Sequence, residues 1–309
     1  MSTERIFFPA GVKIGTTHLY HVGEQSVDQK LEELTLEAAG DWAPNYTGSK
    51  KKAPEFAVES FDLTKALDLM TSEALCGSQI AGNVDLLYRA GQKAAFAYAV
   101  DTANHLLYRL QQNSVLYWEQ IQANQDDELK ISLRLAPWYN GTNAILTALP
   151  SQTIDAPGLQ VAPFTLGPIK LNGTMLKGVK SMTWNNNIEV QREQDSGDAV
   201  PTAIFMRRVK PVISFDTTDP HQLHTGPALD VDGQAVNSLT VYFRRRRPNK
   251  LNYADADQVH AKLHVTQTGC GTAKWLSASG DPAVAKCEIG LNRVGTAALF
   301  EYTKDCAIT

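Results

Sequence analysis

The sequence predicts a mainly β protein made of two tandem β-sandwich or barrel domains, each carrying one short flanking helix. Three observations lead there: short strings recur in the same order in both halves, strand-type alternation dominates, and helix signals are few and brief.

Ser60-Phe61-Asp62-Leu63-Thr64 returns as Ser214-Phe215-Asp216-Thr217-Thr218, 154 positions on (214 minus 60). Gly141-Thr142-Asn143-Ala144-Ile145-Leu146 returns as Gly295-Thr296-Ala297-Ala298-Leu299-Phe300 at the same offset. Between these anchors His105 lies opposite His260, Trp118 opposite Trp275 and Leu135 opposite Leu291. Upstream, Gly15, Leu19 and Val27 align with Gly178, Met182 and Val190 at an offset of 163, which implies a first-half loop nine residues longer (163 minus 154), placed over 40–52. A chain of 309 residues fits two domains, 1–156 and 157–309, and Pro150, Pro157, Gly158 and Pro163 punctuate the join.

Each strand rests on period-two patterning. The clearest is Leu129, Ile131, Leu133 and Leu135 alternating with Lys130, Ser132 and Arg134, one face dry and one wet. Further strands are expected over 13–22, 27–36, 55–61, 114–122, 182–191, 203–215, 238–245 and 261–268. Leu67 and Met70 share a helical face after the Asp62 turn, so 64–71 reads as a short helix. Its counterpart over 219–229 contains Pro220 and Pro227 and must be shorter or irregular. The Ala-rich stretch 93–107 suits either a helix or a strand.

Composition narrows the function. The 29 basic and 33 acidic side chains leave a charge of −4, so no global field recruits nucleic acid or an anionic membrane. No apolar run reaches the roughly 18 residues of a membrane span, and the amino-terminal stretch lacks the basic-then-apolar pattern of a secretory leader. Cys76, Cys270, Cys287 and Cys306 include no CxxC pair, which points to reduced thiols.

Specific catalytic motifs are missing: there is no GxSxG elbow, phosphate loop or HExxH helix. His260 and His264 with Asp257 form the best candidate metal set, and Cys270 between two glycines, with His260 or His264 as base, the best candidate nucleophile. The commoner roles for these residues are structural, so the chain reads as a non-enzyme without cofactor.

Two basic runs stand out: Lys50-Lys51-Lys52 at the end of the first loop, and Arg244-Arg245-Arg246-Arg247 closing the strand 238–245. Four adjacent arginines are able to grip phosphate, but on a strand alternate ones face opposite sides, which suits contact with a neighbour's carboxylates.

A strand pair around a long loop (27–36, 40–52, 55–61), repeated as 182–191, 192–200 and 203–215, with a short helix after Ser60-Phe61-Asp62, resembles the siphophage tail tube family. The resemblance implies a tandem-domain subunit that forms homotrimeric, pseudo-hexameric rings. Rings stack into a virion tail tube, assembled in the host cytoplasm, with other tail proteins at its ends. DNA passes through the lumen during ejection without specific binding, and no membrane or cofactor takes part. Contacts between subunits or rings are then expected at Trp42, Tyr46, Lys50, Lys51 and Lys52 in the first loop. Arg192, Glu193 and Asp195 in the second loop, and Arg244, Arg245, Arg246 and Arg247, complete the set. Two alternatives remain: another ring component of a phage tail or secretion tube, and a tandem carbohydrate-binding module using Trp42, Trp118, Trp138, Trp184 and Trp275 as stacking platforms.

Overall fold

The computed structural model describes residues 5–28, 31–36, 46–70, 77–93, 98–100, 103–111, 113–139, 141–142, 144–154, 163–195, 200–219, 221–225, 234–247, 251–265, 268–276, 284–291 and 298–309. The chain is mainly β, with antiparallel sheets and, among the described residues, two short helices.

The first half runs β1 (Arg5–Ile14), β2 (Thr17–Leu19), β3 (Val22–Asp28), β4 (Leu31–Leu36), β5 (Tyr46–Lys52), β6 (Glu55–Ser60), α1 (Leu63–Asp68), β7 (Gly77–Ile80), β8 (Val84–Lys93), β9 (Tyr98–Val100), β10 (His105–Leu110), β11 (Ser114–Asn124), β12 (Lys130–Pro137) and β13 (Leu146–Gln152). The second runs β14 (Phe164–Leu171), β15 (Thr174–Leu176), β16 (Val179–Asn185), β17 (Glu189–Glu193), β18 (Ala203–Arg208), β19 (Val212–Thr217), α2 (His221–Thr225), β20 (Gln234–Ala235), β21 (Leu239–Arg245), β22 (His260–Val265), β23 (Thr268–Leu276), β24 (Val284–Leu291) and β25 (Glu301–Cys306).

Strand order repeats between the halves. One first-half sheet is ordered β2-β1-β8-β10-β13, and its second-half counterpart is β15-β14-β21-β22-β25. A ten-stranded sheet carries β7-β11-β12-β6-β3 from the first half and β20-β23-β24-β19-β16 from the second, joined where β16 pairs with β11. The buried residues are those that alternation selects: Ile131, Leu133 and Leu135 on β12, and Ala285, Cys287, Ile289 and Leu291 on β24. Helix α1 buries Leu63, Ala66 and Leu67 at helical spacing.

The ladders correct the alignment read from the strings. Val12 pairs with Leu19 as Ile169 pairs with Leu176, and Val22 pairs with Ser60 as Val179 pairs with Thr217, so the offset here is 157 (217 minus 60), not 163 or 154. Hydrogen bonding agrees: the Asp62 amide donates to Ser60 Oγ at 3.1 Å, and the Asp219 amide donates to Thr217 Oγ1 at 3.1 Å. Ser60 therefore matches Thr217, and the Ser60/Ser214 string match lies three residues out of register.

From 22 to 60 and from 179 to 217 the separations are equal, so the first loop is not longer. Nor are these segments simple loops. Residues 31–36 and 46–52 form the ribbon β4·β5, and β17·β18 is its counterpart, with the irregularity at the same place, Glu32/Glu33 and Glu189/Val190.

Farther along the chain the offset falls to 155 (260 minus 105) and then to 154 (275 minus 121). The Ala90 amide donates to buried His105 Nδ1 at 3.1 Å, and the Arg245 amide to buried His260 Nδ1 at 3.2 Å, so the His105/His260 match holds. Ile121 pairs with Ile131 as Trp275 pairs with Ala285, which puts Ile121, not Trp118, at the position of Trp275. In the same hairpin Leu135, opposite Phe56, matches Ile289, opposite Ile213, so the Leu135/Leu291 match is two residues out. The ambiguous stretch 93–107 resolves as strand, with β8 ending at Lys93 and β9 and β10 following; 94–97 and 101–102 lie outside the described residues.

Val12, Phe56, Leu116, Trp118, Trp184, Phe215, Val241 and Phe300, from both halves, all belong to one continuous apolar cluster. Two half-sized cores would each expose apolar surface at the join, and fusing them removes it from water.

Candidate assembly interfaces

The join between the repeats is built on a strand edge. The amino-terminal part of β11 pairs with β7 over Ser114–Tyr117, and its carboxy-terminal part pairs with β16, Gln120 opposite Asn185, Ile121 opposite Trp184 and Gln122 opposite Thr183. Behind this seam Trp118, Trp184 and Phe300 form a mutual edge-on trio, with ring centroids 5.4 Å apart for Trp118–Trp184 and Trp184–Phe300, and 5.8 Å for Trp118–Phe300. Asn186 ties the seam together. Its side-chain amide donates to the Trp118 carbonyl at 2.9 Å and its carbonyl accepts from Trp184 Nε1 at 2.9 Å.

Each end of the ten-stranded sheet presents half of the same seam. Among the described residues β3 is the end strand and pairs on one side, with β6. At the other end, β20 covers only Cys270 and Gly271 of β23, as β7 covers only the start of β11. Positions 272–276 thus have no second ladder among the described residues.

A second contact is made by the ribbon β17·β18, which lies across the outer face of the first-half sheet. Val115, Tyr117 and Ala136 are buried there against Ile204, with Trp138, Ile188, Val190 and Met206 packed around them. Gly77 permits the approach, since a Cβ there would stand 2.7 Å from the Leu116 carbonyl and 2.9 Å from Met206 Cε. Arg192 NH2 donates to Glu55 Oε2 at 2.8 Å, and Arg134 lies 3.5 Å from the other oxygen of this buried carboxylate. Arg134 also donates through Nε to Glu119 at 2.8 Å. Burial, reinforced by the Glu55 charge and opposed by Arg192 and Arg134, pushes the Tyr117 phenol well above its ordinary range.

Of the residues expected at contacts, the structure brings Arg192 and Arg246 to contacts between the repeats of one chain. Glu193 and Asp195 are exposed at the end of β17. Tyr46, Lys50, Lys51 and Lys52 lie on β5, and Trp42 falls outside the described residues.

The arginine run is engaged inside the chain. Arg244 makes two hydrogen bonds to Asp255 at 3.1 and 2.9 Å, and Arg245 stacks over the Phe164 ring at 6.0 Å. Arg246 donates to the Gln125 carbonyl of the first repeat at 3.2 Å, and Arg247 lies 4.8 Å from the Tyr253 ring centre.

The candidate chemical sets do not assemble. Both ring nitrogens of His260 are bonded, to the Arg245 amide and the Ala254 carbonyl; His264 Nδ1 lies 2.7 Å from Thr240 Oγ1; and Asp257 accepts from the Ala254 amide. Among the described residues no group of three metal-ligating side chains converges. Cys270 belongs to the ten-stranded sheet, whereas His260 and His264 belong to the β14–β25 sheet.

Trp118, Trp184, Phe300, Glu55 and Tyr117 were not legible as interface residues from sequence. One signal was present: Met182-Thr183-Trp184 alternates as a core strand, yet it lies at an edge of its own repeat. No protein-family model matches the chain, and no curated protein matches it.

Proposed function

We propose that this chain is a ring-forming structural subunit of a tube of the phage tail kind, each chain supplying two wedges. The observation carrying this is the β11·β16 seam: a head-to-tail edge contact inside the chain, whose two halves recur at β3 and at 272–276 of β23 with no second ladder among the described residues. A heterologous contact closes into a ring when its repeated rotation completes a full turn without a rise, and with six wedges per turn three such chains would complete it.

The face of the ten-stranded sheet away from the core would then line the channel. It carries Ser26, Gln122, Ser132, Thr183 and Ser214, while its charges include the pairs Lys130–Glu59 at 3.8 Å and Lys286–Glu288 at 3.2 Å. A surface of hydroxyls, amides and neutralised charges gives a moving phosphate backbone few anchors. The carbohydrate reading loses support, because Trp118 and Trp184 are fully buried and cannot stack on a sugar.

Negative-stain imaging and light scattering of the purified full chain test the proposal. Rings or stacked tubes are expected; monodisperse monomers up to about 100 μM, well above the micromolar range of weak specific contacts, would remove it.

A further inference from the structure

The β14–β25 sheet, on its face turned away from the core, repeats a feature of the first half with its centre removed. In the first repeat Lys13 stands opposite Asp85 and Asp85 opposite Arg109, so a carboxylate lies between two cations. Asp85 is buried, and Arg109 donates to both of its oxygens, at 2.7 and 2.9 Å. The same three ladder positions in the second repeat are Lys170, Thr240 and His264. The basic flanks persist, and the carboxylate has become a hydroxyl.

A cavity of about 260 Å³ opens over these positions, its lining including Lys170, Thr240, Tyr242, Lys262, His264 and Thr309. The next rung adds a second lysine, because Tyr242 and Lys262 stand where the first repeat has Leu87 and Leu107. Among the described residues no acidic side chain lines the cavity, and Lys262 makes no hydrogen bond or ion pair. Glu301 stands opposite His264 on the side away from Thr240 and is exposed. Two donors already converge on one oxygen: Lys170 Nζ donates to the Thr309 main-chain oxygen at 3.4 Å, and the Tyr242 hydroxyl donates to it at 3.0 Å. Thr240 Oγ1 lies 2.7 Å from His264 Nδ1, which fixes the side chains beneath them. Neighbouring half-buried lysines repel, and a bound anion offsets that repulsion while accepting charge-assisted hydrogen bonds.

We propose that this cavity binds a small oxyanion, a phosphate or a carboxylate, in the place that Asp85 fills in the first repeat. Lys170 and Lys262 supply charge, and the Tyr242 hydroxyl supplies a directed hydrogen bond. The site lies on the β14–β25 sheet, apart from the β3 and β23 edges, so it is independent of the ring reading.

Calorimetric titration of the full chain with inorganic phosphate, and separately with acetate, tests the site. Lys262→Leu and Thr240→Asp are titrated alongside, each installing the residue of the first repeat, with circular dichroism as the fold check. Saturable binding is expected, and the probe that saturates at the lower concentration names the group. Lys262→Leu should weaken binding about tenfold, the worth of one charge-assisted hydrogen bond. Thr240→Asp supplies the carboxylate from within the chain and should abolish saturation. A wild-type chain that saturates with neither probe below about 20 mM, above the millimolar range of weak specific binding, overturns the site. So does a folded Lys262→Leu or Thr240→Asp variant that binds like the wild type.

Discussion

β16 and β3 hold the same place in the two repeats but differ in what covers them. On β16, Val179, Met182 and Trp184 are buried because the first repeat supplies the adjoining strand. On β3 the matching Val22, Gln25 and Val27 are only half buried, although their own sheet and the strands behind them are the same. The ribbons differ in parallel. β17·β18 presents Val190, Arg192, Ile204 and Met206 to the first repeat, whereas β4·β5 has Glu33, Thr35, Thr47 and Ser49 in the matching register positions. The two halves thus keep one topology while their edge residues diverge according to whether a described strand of the chain adjoins them.

The strongest way to break this comparison is to truncate the two edges. Trp184→Ala should cost about 3–5 kcal/mol in urea unfolding, because it empties the centre of the aromatic trio. Val27→Ala, at a half-open site, should cost less than about 1 kcal/mol in the monomer. Comparable losses at both positions would mean that β3 is as enclosed as β16.

The ribbons offer the next largest effect. Arg192→Ala takes the 2.8 Å partner from Glu55, whose side chain is 8% exposed, and leaves Arg134 at 3.5 Å beside it. Loss of one member of such a pair should cost about 2 kcal/mol and open the β17·β18 ribbon to proteolysis. Protease resistance of the 189–208 segment in the Arg192 variant would separate ribbon docking from this ion pair.

Much of the fold was readable because alternation is a local property. Leu129 through Leu135 identified β12, and the Asp62 turn with Leu67 and Met70 located α1 to within one residue at its start and three at its end. The repeat register was less accessible. Short identical strings such as Ser-Phe-Asp arise by chance, whereas equivalence is set by which backbone groups pair, and Ser60 with Thr217 share an Asp-amide bond that no string match reveals. The seam was illegible for a different reason: Ile121 and Trp184 are 63 residues apart (184 minus 121) and meet only through the tertiary pairing of two edges. Glu55, likewise, looks like any surface carboxylate until β17 brings Arg192 over it.

A smaller contrast lies inside the core. Leu133 and Cys287 occupy matching ladder positions, opposite Val58 and Phe215. Burial, with a lesser contribution from the Glu288 charge, pushes the Cys287 thiol from 9.0 up to about 12. A raised thiol pKa in the fold means that the unfolded chain ionises first. The stabilisation is complete below pH 9 and is lost as pH rises toward 12. Cys287→Val should therefore flatten the fall of the urea midpoint between pH 8.5 and 10.5, by on the order of 1 kcal/mol at the upper end. An unchanged slope would indicate that the thiol reaches solvent.

The smallest effect is expected at the arginine run, where the repeats again part: positions 244–247 match Arg89-Ala90-Gly91-Gln92 in the first repeat. The Arg244–Asp255 pair is solvated on both sides, at 31% and 51% exposure, so its loss should cost no more than about 1 kcal/mol. Because Arg244, Arg246 and Arg247 already hold Asp255, the Gln125 carbonyl and Tyr253, serine at 244 and 247 should loosen the 251–257 segment and leave assembly intact. Melting curves and assembly assays on Arg244→Ser/Arg247→Ser check this. A variant with a wild-type melt that fails to form rings would give the run the role between subunits that its pattern in the sequence suggests.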